Sequence, residues 1–159
     1  MLFRSLGTDQ AKRSRRGYYG SVSFIDEQIG RIIDALGKRG MLDNTLILFT
    51  ADHGDMLGDH HLWRKTYAYE SSARIPFILR PPKGMFKDIA GSTYRQPVEL
   101  RDVLPTFLDI AGVPVPDGVD GVSVLDIVRG KGGWRDYIDF EHDEGYGQLN
   151  HWKALTDRP

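Results

Sequence analysis

The residues best suited to chemistry lie together. Thr50-Ala51-Asp52-His53-Gly54-Asp55-Met56-Leu57-Gly58-Asp59-His60-His61 holds three of the chain's five histidines and three aspartates. Asp52 and His53 place a carboxylate beside an imidazole. Such a couple suits a divalent cation, because oxygen ligands favour hard ions and imidazole widens the choice. Gly54 and Gly58 permit the φ > 0 turns that let neighbouring side chains converge. The spacing is not a self-sufficient zinc motif such as His-Glu-x-x-His. Two adjacent ligands are also too few for a tight site, so other segments would have to complete it. On spacing alone, the stretch reads equally as a polar loop whose acids cap a helix and whose histidines face solvent. Lys65, in Leu62-Trp63-Arg64-Lys65, could present a point charge to a tetrahedral oxyanion, or simply face water. Trp63, Tyr67 and Tyr69 suit a pocket wall or ordinary packing. Glu70 and Arg74 have the spacing of a structural helix ion pair. His142 and His151 stand apart and read as surface or packing residues.

The elements that would position this cluster are legible from periodicity. Val22, Ile25, Ile29, Ile32, Ile33 and Leu36 recur at three- and four-residue steps, predicting a helix from Gly17 to about Lys38, ended by Gly40. Leu46-Ile47-Leu48-Phe49 is a continuous apolar run, the pattern of a strand buried on both faces in a parallel sheet. Ile75 to Leu79 is a second such run, and Pro97 to Leu100 a weaker third. A helix from about Arg101 to Ala111 would turn Val103, Leu104, Phe107, Leu108 and Ala111 inward and stop at Gly112. A helical turn is expected at Val124 to Val128, and strands at Tyr137 to Phe140 and Trp152 to Leu155. Strands alternating with helices predict an α/β fold. In open parallel sheets, ligands gather at the carboxyl ends of strands, which points to the segment after Phe49. The expected organisation is a basic arm over residues 1–16, an α/β portion over 17–112, and a Gly/Pro-rich segment with C-terminal strands over 113–159.

Composition narrows the function classes. The 159 residues are 40% hydrophobic and 27% charged, with 21 basic against 22 acidic side chains. That balance excludes a disordered polyelectrolyte and argues against nucleic acid as a partner. No apolar run approaches the ~18 residues of a membrane span. MLFRSLGTDQ lacks the apolar region of a secretory leader, and the compartment stays open. Cysteine is absent, which removes disulfide and thiol chemistry. Arg4, Lys12, Arg13, Arg15 and Arg16 against Asp9 give the first sixteen residues a net +4. They read as a solvated segment before the helix, or as a grip for an anionic partner.

TADHGDMLGDHHLWRKTYAYESSARIPFILRPP resembles the metal-binding and substrate-contact segment of the sulfatases, within the alkaline-phosphatase superfamily. The flanks agree. RRGYYGSVSFIDEQIGRIIDALGKRGMLDNTLILF is similar to the helix and strand before that segment, and VELRDVLPTFLDIAGVPVPDGVDGVSVL to the later helix and its Gly-rich tail. FEH at Phe140 to His142 and ALTD at Ala154 to Asp157 resemble the strands that follow. The ordered string covers about residue 15 to the end. It implies an incomplete sulfatase fold: a mostly parallel sheet flanked by helices, with smaller C-terminal strands.

By that resemblance Asp52 and His53 match ligands of a single divalent metal, Ca²⁺ first, with Mn²⁺ or Mg²⁺ compatible. Lys65 matches the lysine that contacts the sulfate or phosphonate oxygens. His60 takes a polar position near the pocket and ranks below Lys65 as a catalytic residue. A glycine is more usual at position 61 than the His found here. The implied reaction is sulfate-ester hydrolysis. The siblings are phosphonate monoester and phosphodiester hydrolysis; the remaining alternatives are a non-catalytic metal- or anion-binding module and a functionless remnant. The family's formylglycine arises from Cys or Ser in Cys/Ser-x-Pro-x-Arg, and these residues contain no such motif. The expectation is therefore an internal-to-C-terminal portion of the enzyme, inactive alone. It would expose a sheet edge rich in Ile, Leu and Phe, prone to association.

Overall fold

The computed structural model describes residues 7–86, 89–142 and 152–156; for Trp152 only the backbone is described. Arg4 and His151 lie outside the described residues. The chain divides into two compact units, Met1–Met85 and Phe86–Pro159. Among the described residues no helix is long and apolar enough to cross a membrane.

The first unit opens with helix α1, Thr8–Lys38. It starts nine residues before the expected Gly17, so Lys12, Arg13, Arg15 and Arg16 are helical. The early turns contain Ala11 and straight-chain basic residues, whose helix propensity needs no apolar face. Its end follows expectation. Gly40 takes φ +68° while Met41 N–H donates to Leu36 O at 2.9 Å and Gly40 N–H to Gly37 O at 3.0 Å, a Schellman closure. The apolar stripe is not covered: α1 has no buried residue, and Ile25 and Ile32 are more than half exposed.

A short 3₁₀ turn, Leu42–Asn44, leads into strand β1, Ile47–Thr50. After a long loop come the one-turn helix α2, Glu70–Ala73, and strand β2, Phe77–Arg80. The strands pair antiparallel, Ile47 opposite Arg80 and Thr50 opposite Phe77. The α/β class thus holds, but the described strands run antiparallel where parallel neighbours were expected. A continuous apolar run reports what covers a strand, not which way its neighbour runs. Arg80 Nη1 closes the far end by donating to Leu42 O at 2.8 Å, and Lys83 N–H donates to Asp43 O at 2.8 Å. Phe49 and Ile78 face each other across the pair and are both exposed.

The second unit is built around a buried carboxylate. Residues 97–99 are not a strand. Glu99 instead begins a capping box over the turn Leu100–Asp102, which runs into helix α3, Val103–Ile110. Asp102 is fully buried. Its carboxylate accepts Glu99 N–H at 3.0 Å, Val122 N–H at 2.9 Å, and both terminal nitrogens of Arg135 at 2.9 and 2.6 Å. Arg135 also reaches Glu99 Oε1 at 2.7 Å and lies over the Trp134 ring, whose Nε1–H donates to Pro97 O at 2.9 Å. Thr106 hydroxyl donates to Asp102 O at 2.6 Å and accepts Val124 N–H at 3.0 Å. This pins helix α4, Leu125–Val128, beside α3. Here Pro105 and Thr106 face inward, whereas Leu104 and Phe107, expected in the core, are exposed. The polar contacts of Asp102 and Thr106 set the helix rotation against the apolar period. Strands β3, Ile138–His142, and β4, Trp152–Thr156, form an antiparallel pair close to the expected positions.

Asp109, Ser123 and Arg129 form a second cluster, with Arg129 donating to both Asp109 oxygens at 2.6 and 3.0 Å. The Arg129 hydrogen bonds hold the Asp109 carboxyl below the usual carboxylate range.

Removing the buried Asp102 carboxylate takes two hydrogen bonds from Arg135 and strands the Glu99 and Val122 N–H donors. Asp102→Ala is therefore expected to lower unfolding free energy by about 3 kcal/mol or more, whereas Arg101→Ala, in an exposed pair, should cost about 1 kcal/mol or less. Urea titration followed by far-ultraviolet circular dichroism measures both; equal losses would contradict this account of the unit.

Candidate functional site

The loop from Ala51 to Tyr69 leaves the carboxyl end of β1 and folds back on itself before α2. Gly54 N–H donates to Ser72 O at 2.8 Å, bringing the loop's first turn onto the α2 backbone. A Cβ at position 54 would run into the Ser71 carbonyl oxygen. Gly54 is thus needed for close approach rather than for the positive φ expected of it. Gly58 does take φ +91°. Met56, buried under the loop, donates its N–H to Arg64 O at 2.7 Å, and Gly58 N–H donates to Leu62 O at 2.8 Å.

Two of the three aspartates are occupied by this folding. Asp55 Oδ1 accepts Leu57 N–H at 2.8 Å and Arg64 N–H at 3.3 Å. Asp59 Oδ1 accepts His60 N–H at 3.0 Å, and Oδ2 accepts the Ser71 hydroxyl at 2.5 Å. The Ser71 hydrogen bond draws the Asp59 carboxyl below its ordinary range. These constraints, and the Ser71 partner of Asp59, were hidden in the sequence. The excess of aspartate in the segment signalled local hydrogen bonding as much as ligation.

Asp52 and His53 remain available. Asp52 Oδ2 lies 3.5 Å from His53 Nε2, with the carboxylate 80% and the imidazole 37% exposed. His53 Nδ1 sits 2.6 Å from Gly54 O. A carbonyl oxygen only accepts, so Nδ1 carries a proton. A neutral ring then turns the bare lone pair of Nε2 toward an anionic oxygen. The Asp52 carboxylate is open to solvent, so a water molecule or a cation can bridge the two atoms. The ring is held as ligating histidines are, one nitrogen donating to a backbone carbonyl and the other free to bind metal. The donor set fits a hard or borderline divalent ion, and 3.5 Å suits neighbouring donors on an ion with bonds of about 2.4 Å. No third His, Asp or Glu joins them among the described residues.

Lys65 is exposed and has no ion pair or hydrogen bond among the described residues. It lies between two left-handed residues, Arg64 at φ +70° and Thr66 at φ +86°. His60 stacks on Tyr69 at 4.2 Å between centroids, and Tyr67 lies 6.4 Å from Tyr69. All the non-glycine residues with positive φ among the described residues fall in this loop: Leu57, His60, His61, Arg64 and Thr66. Each costs about 1–2 kcal/mol, and such strain concentrates at functional sites. His61 at φ +60° occupies a conformation that suits glycine. Glu70 and Arg74 form the expected ion pair at 3.5 Å.

A family model described as Sulfatase matches residues 3–113. An arylsulfatase of Clostridium perfringens is 46% identical over 142 residues, covering 89% of this chain and 29% of that protein. A choline-sulfatase of Rhizobium meliloti is 42% identical over 125 residues, covering 77% and 23%. The chain thus spans under a third of the curated relatives it matches. Among solved structures, BT4656, in complex with its substrate D-glucosamine-2-N,6-O-disulfate, superposes with a TM-score of 0.78 at 31% identity, over 96% of this chain and 32% of that one. The phosphonate monoester hydrolase of Silicibacter pomeroyi gives 0.69 at 39% identity, over 80% and 24%.

The close approach at Gly54 has a direct test. Gly54→Ala is expected to cost about 1–3 kcal/mol as an overpacking change. Gly132→Ala, in open space, should stay within about 0.5 kcal/mol. Chemical denaturation of both variants measures the difference; no penalty at position 54 would mean the loop does not cross α2 this closely.

Proposed function

This chain belongs to the sulfatase family, and from that premise we propose that it supplies the metal-ligand and oxyanion-contact part of a sulfuric ester hydrolase. The observation that carries the reading is the pair of acceptors at Asp52 Oδ2 and His53 Nε2, 3.5 Å apart, with the other ring nitrogen already donating to Gly54 O. Its carboxylate and imidazole suit Ca²⁺, with Mn²⁺ or Mg²⁺ compatible. Such an ion, when bound, supplies Lewis-acid polarisation of the ester oxygens.

The chain's own residues do the rest of this part. The Gly54 carbonyl holds the His53 ring in the tautomer that keeps Nε2 unprotonated. Lys65 offers a compact ammonium to the non-bridging oxygens, a kind of donor worth about 3 kcal/mol in the transition state. His60, held by its stack on Tyr69, is the second catalytic candidate and offers a ring N–H to the same charge. Attack on sulfur is assigned to a formylglycine, whose Cys/Ser-x-Pro-x-Arg motif these residues do not contain. Phosphonate monoester hydrolysis is the second reading, supported by phosphonate monoester hydrolases among the structural neighbours. Both readings use Asp52, His53 and Lys65 alike, so fold alone does not separate them.

Titration calorimetry with CaCl₂ and MnCl₂ tests the metal assignment. Binding is expected at ~10⁻⁴ M, weak because only two protein ligands come together among the described residues, and Asp52→Asn or His53→Ala should each weaken it at least about tenfold. Sub-micromolar binding, or binding indifferent to both substitutions, would overturn it. The division of labour has its own test. Purified chain should release no nitrophenol from nitrophenyl sulfate above an Asp52→Asn control, and turnover abolished by that substitution would refute it.

A further inference from the structure

The basic start of α1 has an unabsorbed feature. Arg15 Nε–H donates to Leu57 O at 2.8 Å, across 42 residues of sequence. Leu57 is left-handed at φ +46°, and Gly58 follows at φ +91°. A Cβ placed on Gly58 would stand 3.1 Å from Arg15 Nη2 and 3.3 Å from Trp63 Cζ2. The guanidinium and the indole therefore converge on one side of Gly58.

We propose that Arg15 is a positioning residue for the strained loop that presents His60 and Lys65. The inference rests on the assignment of Lys65 as the oxyanion contact, and it adds the group that holds that lysine's loop in place. The connection is short. Leu57 O is held by Arg15, and Leu57 N–H is held by Asp55 Oδ1. The same Asp55 oxygen accepts Arg64 N–H, one residue before Lys65. A displacement of Leu57 is thus passed through one carboxylate oxygen to the backbone next to Lys65. The left-handed residues of the loop relax toward ordinary φ unless something outside the loop opposes them, and Arg15 is a helical residue placed to do so. Its planar group keeps a fixed donor direction at Nε, which a lysine ammonium does not reproduce. Lys12, Arg13 and Arg16 are exposed and make no such contact among the described residues.

The test reads loop order without metal or ester, so its failure is distinguishable from failure of the sulfatase assignment. The whole chain is labelled with 5-fluorotryptophan, and the Trp63 resonance is assigned by Trp63→Phe. Arg15→Gln is expected to shift the Trp63 fluorine signal while leaving those of Trp134 and Trp152 in place. Endoprotease Lys-C should then cut after Lys65 about tenfold faster relative to Lys38. Arg15→Lys should restore the Trp63 signal only in part. An unmoved Trp63 signal with wild-type cleavage after Lys65 would overturn the proposal. So would a shift of all three signals with a lowered thermal midpoint, which would make Arg15 a general stability residue.

Discussion

The candidate site depends on one close passage. At Gly54 the loop leaving β1 touches the backbone of Ser71 and Ser72, with no room for a side chain between. This passage turns the chain immediately after His53, so that the Gly54 carbonyl faces the His53 ring and the ring's far nitrogen faces Asp52. It also brings Ser71 within reach of Asp59. One backbone crossing thereby sets the tautomer of the histidine, leaves Asp52 open, and engages Asp59 elsewhere. A bulkier residue at position 54 would disturb all three at once, although none of the three is its neighbour by side chain.

The loop beyond it follows a different rule. Five side-chain-bearing residues adopt left-handed φ between Leu57 and Thr66. Turn preference alone does not select Leu, Arg and Thr for such positions. The compensation lies in contacts: Met56 buried beneath the loop, Asp55 bonded to both limbs, and the Arg15 guanidinium from outside. Strain opposed by such contacts leaves the loop few alternative conformations. A charge such as Lys65 carried on it is therefore better positioned than its exposure suggests.

How much was legible in the sequence depended on range. Period and punctuation were local and read well: the ends of α1 and α3 at Gly40 and Gly112, the turn at α4, and the strands β1 to β4 within a few residues. The α/β class and the sulfatase kinship were legible too, the second because an ordered string of motifs is far more specific than any one triplet. Two of the misses were non-local: strand direction, which pairs Ile47 with Arg80, and the fit of Asp102 with Val122 and Arg135, 20 and 33 positions on. The capping role of Glu99 in place of a strand is local, set by Asp102 three residues on. Periodicity sets the start of α1 too late because its first turns have good propensity but no apolar period. The apolar period misplaces the inward face of α3 because Asp102 and Thr106 orient that helix through hydrogen bonds, leaving Leu104 and Phe107 outward. An apolar period identifies a sticky face without saying what covers it. In α1 and α3 these faces are open in this chain.

The same reasoning separates the two kinds of acidic residue that composition could not. Asp55, Asp59, Asp102 and Asp109 each accept two or more hydrogen bonds that fold the chain. Among the described residues Asp52 accepts none from the backbone and meets an imidazole alone, at 3.5 Å. A carboxylate whose acceptor sites are filled by N–H donors is already compensated and has little to offer a cation. One that is open to solvent, beside an imidazole nitrogen, keeps its acceptor sites for water or a cation. Within the segment from Thr50 to His61, satisfaction of hydrogen-bonding capacity rather than the number of acids sets Asp52 apart from Asp55 and Asp59.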